Sequence, residues 1–133
     1  MLEYVAGFLF SENRKKVLLI EKLKPEWQKG KYNGIGGKLE VEELPEQAMG
    51  REFKEEAGVS ISDWIPFCEY SGWDWKVYFF KAFGDYNVSS QEEEQVHWVN
   101  VDDVQTLPII DNLKFLIPMA LHKDDPYAVI TEY

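Results

Sequence analysis

One stretch limits what this chain can fold into more than any other. Pro45 to Gly58 reads as a helix with both ends marked. Pro45 suits the first helical turn, where a missing N–H costs nothing. Gly58 suits the left-handed position just past the last turn. Leu44 is a poor N-cap, since it offers no side-chain oxygen; Ser, Thr or Asp there would be worth about 0.5–2 kcal/mol. At about 100° per residue, Glu52, Glu55 and Glu56 share one arc of the helix. Met49, Phe53 and Ala57 take the next arc, and Gln47, Gly50 and Lys54 the remainder. The helix thus has an apolar face, a solvent face and a carboxylate stripe beside the apolar one. Two unit charges ~5 Å apart at an effective dielectric of ~20 repel by about 3 kcal/mol. A hard divalent cation removes that conflict, and all-oxygen sites suit Mg²⁺, Mn²⁺ or Ca²⁺. Spacing alone leaves a second explanation open, an acidic face that is simply solvated.

Around this helix the pattern is mostly that of strands. Leu2–Phe10, Val17–Glu21, Val59–Ile65, Phe67–Tyr70, Trp73–Phe83 and Gln95–Val101 are rich in β-branched and aromatic residues and are expected to be extended. Gly34-Ile35-Gly36-Gly37 carries too much glycine for a regular element. Asp102-Asp103 starts a short helical turn. A second helix begins at Asp111, with apolar residues at Leu113, Leu116, Ile117, Ala120 and Leu121. Pro118 is expected to kink it or end it early. The tail, Tyr127–Tyr133, adds an edge strand. Strands on both sides of a central helix predict a sheet covered by helices, in the α/β or α+β classes. The 133 residues suit a single domain.

Charge and cysteine content exclude several functions. Fourteen Lys and Arg against 24 Asp and Glu leave a net charge of −10, which repels polyanions and argues against a nucleic-acid polymer as partner. A small phosphorylated ligand remains compatible if bound cations locally reverse the sign. A single cysteine, Cys68, forbids an internal disulfide and is expected to be a small core residue. No apolar run approaches the ~20 residues of a membrane helix, and the first residues lack the basic head of a signal peptide. The expectation is a soluble cytoplasmic protein, monomer or homodimer, with no membrane partner.

The residues flanking the helix carry a resemblance. Gly37, Glu43, Arg51, Glu52, Phe53, Glu55, Glu56, Gly58 and Val59 match, each at its required offset, the signature of the Nudix hydrolase family. The resemblance implies an α/β/α sandwich with a mixed sheet between helices. It implies that Glu52, Glu55 and Glu56 bind Mg²⁺ (Mn²⁺ being possible), with a Gly37 carbonyl nearby and Glu43 assisting from the preceding loop. Arg51 would orient the glutamates, and Gly36 and Gly37 would let the backbone turn sharply. Family members hydrolyse a nucleoside diphosphate linked to another moiety, the metal neutralising charge and activating water. Glu56 is the first candidate for the general base. The run Glu92-Glu93-Glu94, before the strand carrying Trp98, is the second, so Glu93 and Glu94 join Glu52, Glu55, Glu56 and Arg51 as catalytic candidates.

Outside the signature, Tyr32-Asn33-Gly34-Ile35-Gly36-Gly37-Lys38 is similar to a stretch of the MutT-like branch, which acts on oxidised nucleotides. That likeness implies that Asn33 bonds a purine edge and Lys38 reaches phosphate. Asp111 and Asn112 precede the second helix, where related enzymes read the base. Turn chemistry for Asn33 and N-capping for Asp111 are the plainer explanations. Lys22, Lys24, Lys29, Lys31 and Lys38 could attract a triphosphate or merely keep a loop solvated. Trp27, Tyr32, Trp73 and Trp75 could stack a base; Trp73 and Trp75, two apart on one strand, would share a face. His97 and His122 show no metal-ligand spacing. The expected activity is Mg²⁺-dependent cleavage of a nucleoside triphosphate, 8-oxo-dGTP or another purine nucleotide, to monophosphate and pyrophosphate. Hydrolysis of ADP-ribose, NADH or a dinucleoside polyphosphate, or nucleotide binding without turnover, are the alternatives.

Overall fold

A computed structural model describes residues 1–133. Eight strands form one mixed sheet: β1 (Leu2–Phe10), β2 (Lys16–Glu21), β3 (Tyr32–Asn33), β4 (Ile35–Lys38), β5 (Ile65–Ser71), β6 (Trp75–Phe83), β7 (Val96–Asn100) and β8 (Ala128–Thr131). Helix α1 spans Pro45–Ala57 and helix α2 Leu113–Leu121. Short 3₁₀ turns lie at Glu26–Gln28 and Val101–Thr106.

Strand β1 is the axis of the sheet. Along one edge it pairs in parallel with β6, from Leu2 opposite Trp75 to Phe10 opposite Phe83. Its other edge is shared. Leu9 and Phe10 pair with β2, whereas Tyr4 to Gly7 pair with β4. Strands β1 and β2 therefore part, and the segment Tyr32–Lys38 fills the gap, bonded first to β2 and then to β1. β5 and then β8 complete the far side, and β7 pairs with the free edge of β2.

Side chains alternate across β1 and β2, so each face builds its own core. Ala6, Phe8, Phe10, Val17 and Leu19 join Leu113, Leu116, Ile117 and Ala120 of α2. Val5, Leu9, Leu18 and Ile20 join Ala48, Met49, Phe53 and Ala57 of α1. Fully burying a side chain such as Phe53 is worth about 1.5–3 kcal/mol. The result is the expected sandwich, a mixed sheet with one helix on each face.

The ends of α1 are as expected. Pro45 opens the helix and Gly58 closes it at φ +79°. Leu44 supplies no capping oxygen. Half of the deficit is met from within, because the Gln47 side chain accepts the Leu44 backbone N–H at 2.9 Å. The tail also behaves as expected, with β8 parallel to β5.

Four expectations are corrected. Ile35–Lys38 is a strand despite its glycines. Its glycines permit contact rather than a sharp turn: a Cβ on Gly36 would lie 1.8 Å from the Val5 carbonyl oxygen. Val59–Trp64 is not a strand; Ile61 and Trp64 are buried in the α1-side core, so their apolar spacing reflects a loop plugging that core. Trp73 lies outside β6 and is 93% exposed, so it does not share a strand face with Trp75. Finally, α2 starts at Leu113 and continues beyond Pro118 to Leu121. Proline removes the N–H that would bond the carbonyl four residues back. That carbonyl, on Lys114, accepts the Gln105 side-chain amide instead, at 3.1 Å.

Candidate functional site

Arg51 organises the outer part of the glutamate cluster. Its Nε and Nη2 donate to the two oxygens of Glu43 at 2.8 and 3.0 Å, a bidentate pair. Nη1 donates to Glu52 at 2.9 Å and to Glu55 at 3.3 Å. Nη2 also reaches the Lys38 carbonyl at 3.2 Å, tying the helix to β4. The Arg51 guanidinium and the Glu40 backbone N–H hold the Glu43 carboxyl down at about 2. Arg51 itself is raised above its ordinary range by Glu43 and Glu52.

Glu52 sits lower in the fold. Its carboxylate occupies the space a side chain at position 37 would need, 2.5 Å from where a Cβ would lie. A side chain at 37 would displace it. Burial raises the Glu52 pKa, with Arg51 opposing.

Glu56 is the exception in the cluster. Its Oε2 is buried and has no hydrogen-bond partner. Burial, then the charges of Glu94, Glu52 and Glu92, push its carboxyl up to about 7. A buried carboxylate oxygen without a donor is costly, and a divalent cation beside it would satisfy it. The donor set, all carboxylate, suits Mg²⁺ or Mn²⁺. No three acidic, His or Cys side chains already converge as a ready-made cage.

The loop before β7 is bolted to the end of α1. Ser89 and Gln91 donate backbone N–H groups to the carbonyls of Ala57 and Glu56, both at 3.1 Å. These are carbonyls a helix end leaves free. The loop thereby brings Glu92 and Glu94 into the field of Glu56. Glu94 is held by Lys22 and by the N–H groups of Leu23 and Lys24. Glu93 is exposed and makes no ion pair.

A cavity of about 590 Å³ opens on the α2 side of the split between β1 and β2. Lys22, Asn33, Lys38, Trp75 and Asn112 line it, together with Trp27, Gln28 and Asp74. Asn33 accepts the Gly34 N–H through Oδ1 at 2.8 Å and donates through Nδ2 to Gln28 at 3.0 Å. Asn112 presents a buried Oδ1 with no partner. Asp111 is exposed, lies outside the lining, and does not cap α2, whose first position is preceded by Asn112. Trp75 stacks on Tyr70 with centroids 5.8 Å apart. Glu52, Glu55 and Glu56 do not line the cavity, but Gly36, Gly37 and Lys38 do. The short strand β4 is therefore the wall shared by the carboxylates and the cavity. Cys68 is buried, and burial pushes its thiol up to about 11.

Sequence reasoning missed two contacts here, Lys22 with Glu94 and Gln28 with Asn33. The first depends on the antiparallel β2–β7 register, Ile20 opposite Val96, which places 22 opposite 94 and is set only by tertiary pairing. Neither had a signal in the sequence.

Comparison with known proteins came from three directions. The sequence profile of the NUDIX domain matches residues 1–117. An uncharacterized Nudix hydrolase of Bacillus subtilis, YvcI, is 30% identical over 105 residues, 71% of this chain. The match spans 64% of that relative's length. A MutT structure from work on Aliivibrio salmonicida and Vibrio cholerae superposes with a TM-score of 0.77 at 24% identity, covering 88% of this chain and 94% of its own. The mutator MutT protein of Bacillus halodurans gives 0.79 at 23% identity, covering 98% and 90%. The NUDIX domain of Shewanella oneidensis NrtR, solved with ADP ribose, gives 0.77 at 21% identity, covering 89% and 84%. At these identities the structural likeness speaks for the fold.

Proposed function

This chain belongs to the NUDIX family, and from that premise we propose that it is a Mg²⁺-dependent hydrolase of nucleoside triphosphates, releasing monophosphate and pyrophosphate. A purine nucleotide, 8-oxo-dGTP among the candidates, is the substrate favoured by the cavity. The observation that carries the reading is Glu56, a buried carboxylate oxygen without a partner, on a helix packed against β4, the strand from which Gly36, Gly37 and Lys38 line a cavity of about 590 Å³.

Glu52, Glu55 and Glu56, with the Gly37 carbonyl, would hold Mg²⁺ or Mn²⁺. When bound, such a cation supplies positive charge against the diphosphate and acidifies water. Glu56 accepts the proton of the attacking water. The water oxygen bonds to phosphorus as the α–β anhydride linkage breaks, and pyrophosphate leaves. Arg51 keeps Glu43, Glu52 and Glu55 in place without touching substrate. Lys38 binds phosphate oxygens at the shared wall. Asn33 and Asn112 contact the base. Asn33 has one amide hydrogen left for it, and Asn112 an unused acceptor. Trp75 offers a flat apolar surface to the ring. Asp111, exposed and outside the lining, is the weakest of the four binding candidates.

No helix of the chain is long and apolar enough to cross a membrane.

The test is a nucleotide panel with Mg²⁺ and product resolution. It includes canonical and oxidised triphosphates, ADP-ribose, NADH and dinucleoside polyphosphates. Pyrophosphate from a purine triphosphate is the expected product. Orthophosphate would overturn the assigned bond, and turnover of ADP-ribose alone the assigned substrate. Nucleotide binding without any turnover would make the chain a binding domain.

A further inference from the structure

Lys22 and Glu94 each lie two residues beyond the last paired residues of β2 and β7, Ile20 and Val96, and their side chains meet. Glu94 uses both oxygens. Oε1 accepts the Lys22 ammonium at 2.9 Å, and Oε2 accepts the N–H groups of Leu23 at 2.7 Å and Lys24 at 3.2 Å. The pair is sheltered, with side chains 19% and 11% exposed. An ammonium has three donors; one goes to Glu94, and Lys22 lines the cavity beside Asn33 and Lys38. The backbone around Glu94 is anchored independently, through Ser89 and Gln91, to the end of α1 that carries Glu56.

We propose that Glu94 is a positioning residue: it fastens Lys22 and the lysine loop behind it to the Glu56 end of α1, so that Lys22 faces substrate phosphate. The proposal rests on the hydrolase reading above and adds a phosphate-binding residue, Lys22, to it. It also removes Glu94 from the candidates for general base. Protonating Glu94 would break a charged hydrogen bond to Lys22 and weaken two to the backbone. Such bonds are the strong ones. Burial alone would raise its pKa, but the Leu23 and Lys24 N–H groups and the Lys22 ammonium hold it below the usual range. Glu56, by contrast, has no donor to lose.

Steady-state kinetics on the best nucleotide of the panel, with trypsin digestion of the same proteins, tests the clamp. Glu94→Ala and Lys22→Met should each raise KM by about tenfold, as expected for one charge-assisted hydrogen bond. kcat should stay within about threefold and the pH profile of kcat should keep its limbs. The double variant should be no worse than the worse single one, because both remove the same interaction. In Glu94→Ala the loop should be cut faster after Lys29 and Lys31. Glu94→Gln should restore protection against trypsin through its amide oxygen, but not KM. A fall in kcat of about 10²-fold or more with a lost limb would make Glu94 the general base and overturn the proposal; additive KM effects would overturn it too. If wild type turns over no nucleotide, the hydrolase reading falls, and calorimetry with tripolyphosphate takes over. Weaker binding and faster cutting in Glu94→Ala still support the clamp; unchanged binding and unchanged cutting sink it.

Discussion

The two ends of the carboxylate stripe on α1 face the same electrostatic problem and meet it in opposite ways. At the Arg51 end, one guanidinium satisfies Glu43, Glu52 and Glu55, and Glu43 is held down at about 2. At the Glu56 end no cation of the chain touches the carboxylate, and burial among like charges pushes it up to about 7. A protein can neutralise buried charge with its own side chains, and here it does so for one half only. The other half carries an oxygen that no group of the chain satisfies. That difference separates, within a single cluster, the carboxylates held by Arg51 from the one for which we propose chemistry.

The contrast can be broken experimentally, most severely at Glu56. Glu56→Gln should lower kcat by about 10²–10⁴-fold, the usual contribution of a general base, while nucleotide binding persists. Turnover near wild type would move the base elsewhere, to Glu92 or Glu93. Next in size is the loss of the organising cation. Arg51→Met leaves Glu43 and Glu52 without their partner and should cost about 2–3 kcal/mol in urea unfolding. The lower end is expected because Arg51 is still 24% exposed.

A smaller effect reads the sign of each half. Glu56 in the folded chain titrates at about 7, above its ordinary value of 4.5. The folded state therefore binds the extra proton, and metal-free protein should lose stability as pH rises from about 4.5 through 7. Glu43 has the reverse sign: its contribution is present above about 4.5 and is lost as pH falls towards 2. Thermal melts across pH should show the first slope in wild type and not in Glu56→Gln. Mg²⁺ at pH 7.5 should raise the Tm of wild type by about 4 °C, equivalent to roughly 1 kcal/mol, and raise that of Glu56→Gln less. The smallest effect is a control. Glu40 approaches Arg51 at 3.6 Å but is 68% exposed, so Glu40→Gln should change stability by no more than about 0.5 kcal/mol.

Much of this could be read in advance. The span of α1, its opening proline and closing glycine, and the assignment of Met49, Phe53 and Ala57 to the core follow from helical periodicity, which is a local property. β1 and the edge strand β8 follow from runs of apolar and β-branched residues. Errors occurred where a distant partner overrode the local rule. Ile35–Lys38 is extended because β1 supplies its hydrogen bonds, whatever its glycines prefer. α2 passes Pro118 because Gln105 takes up the Lys114 carbonyl. Val59–Trp64 looked like a strand because a loop that plugs a core needs apolar residues at similar intervals.

The site divides along the same line. The order of residues alone determined that Glu52, Glu55 and Glu56 share a face and that Arg51 lies one turn from Glu55, since a helix converts spacing directly into direction. It could not determine that Glu52 fills the gap left by Gly37, that Lys22 meets Glu94, or that Gln28 orients Asn33. Nor could it say that Glu56, of all these carboxylates, is left without a donor. Those outcomes depend on how closely β4 approaches α1 and on where two loops end up beside them. Burial and contact are properties of the packed chain, not of any segment, and it is they that left three similar glutamates held by Arg51 and a fourth, Glu56, with a buried oxygen and no donor.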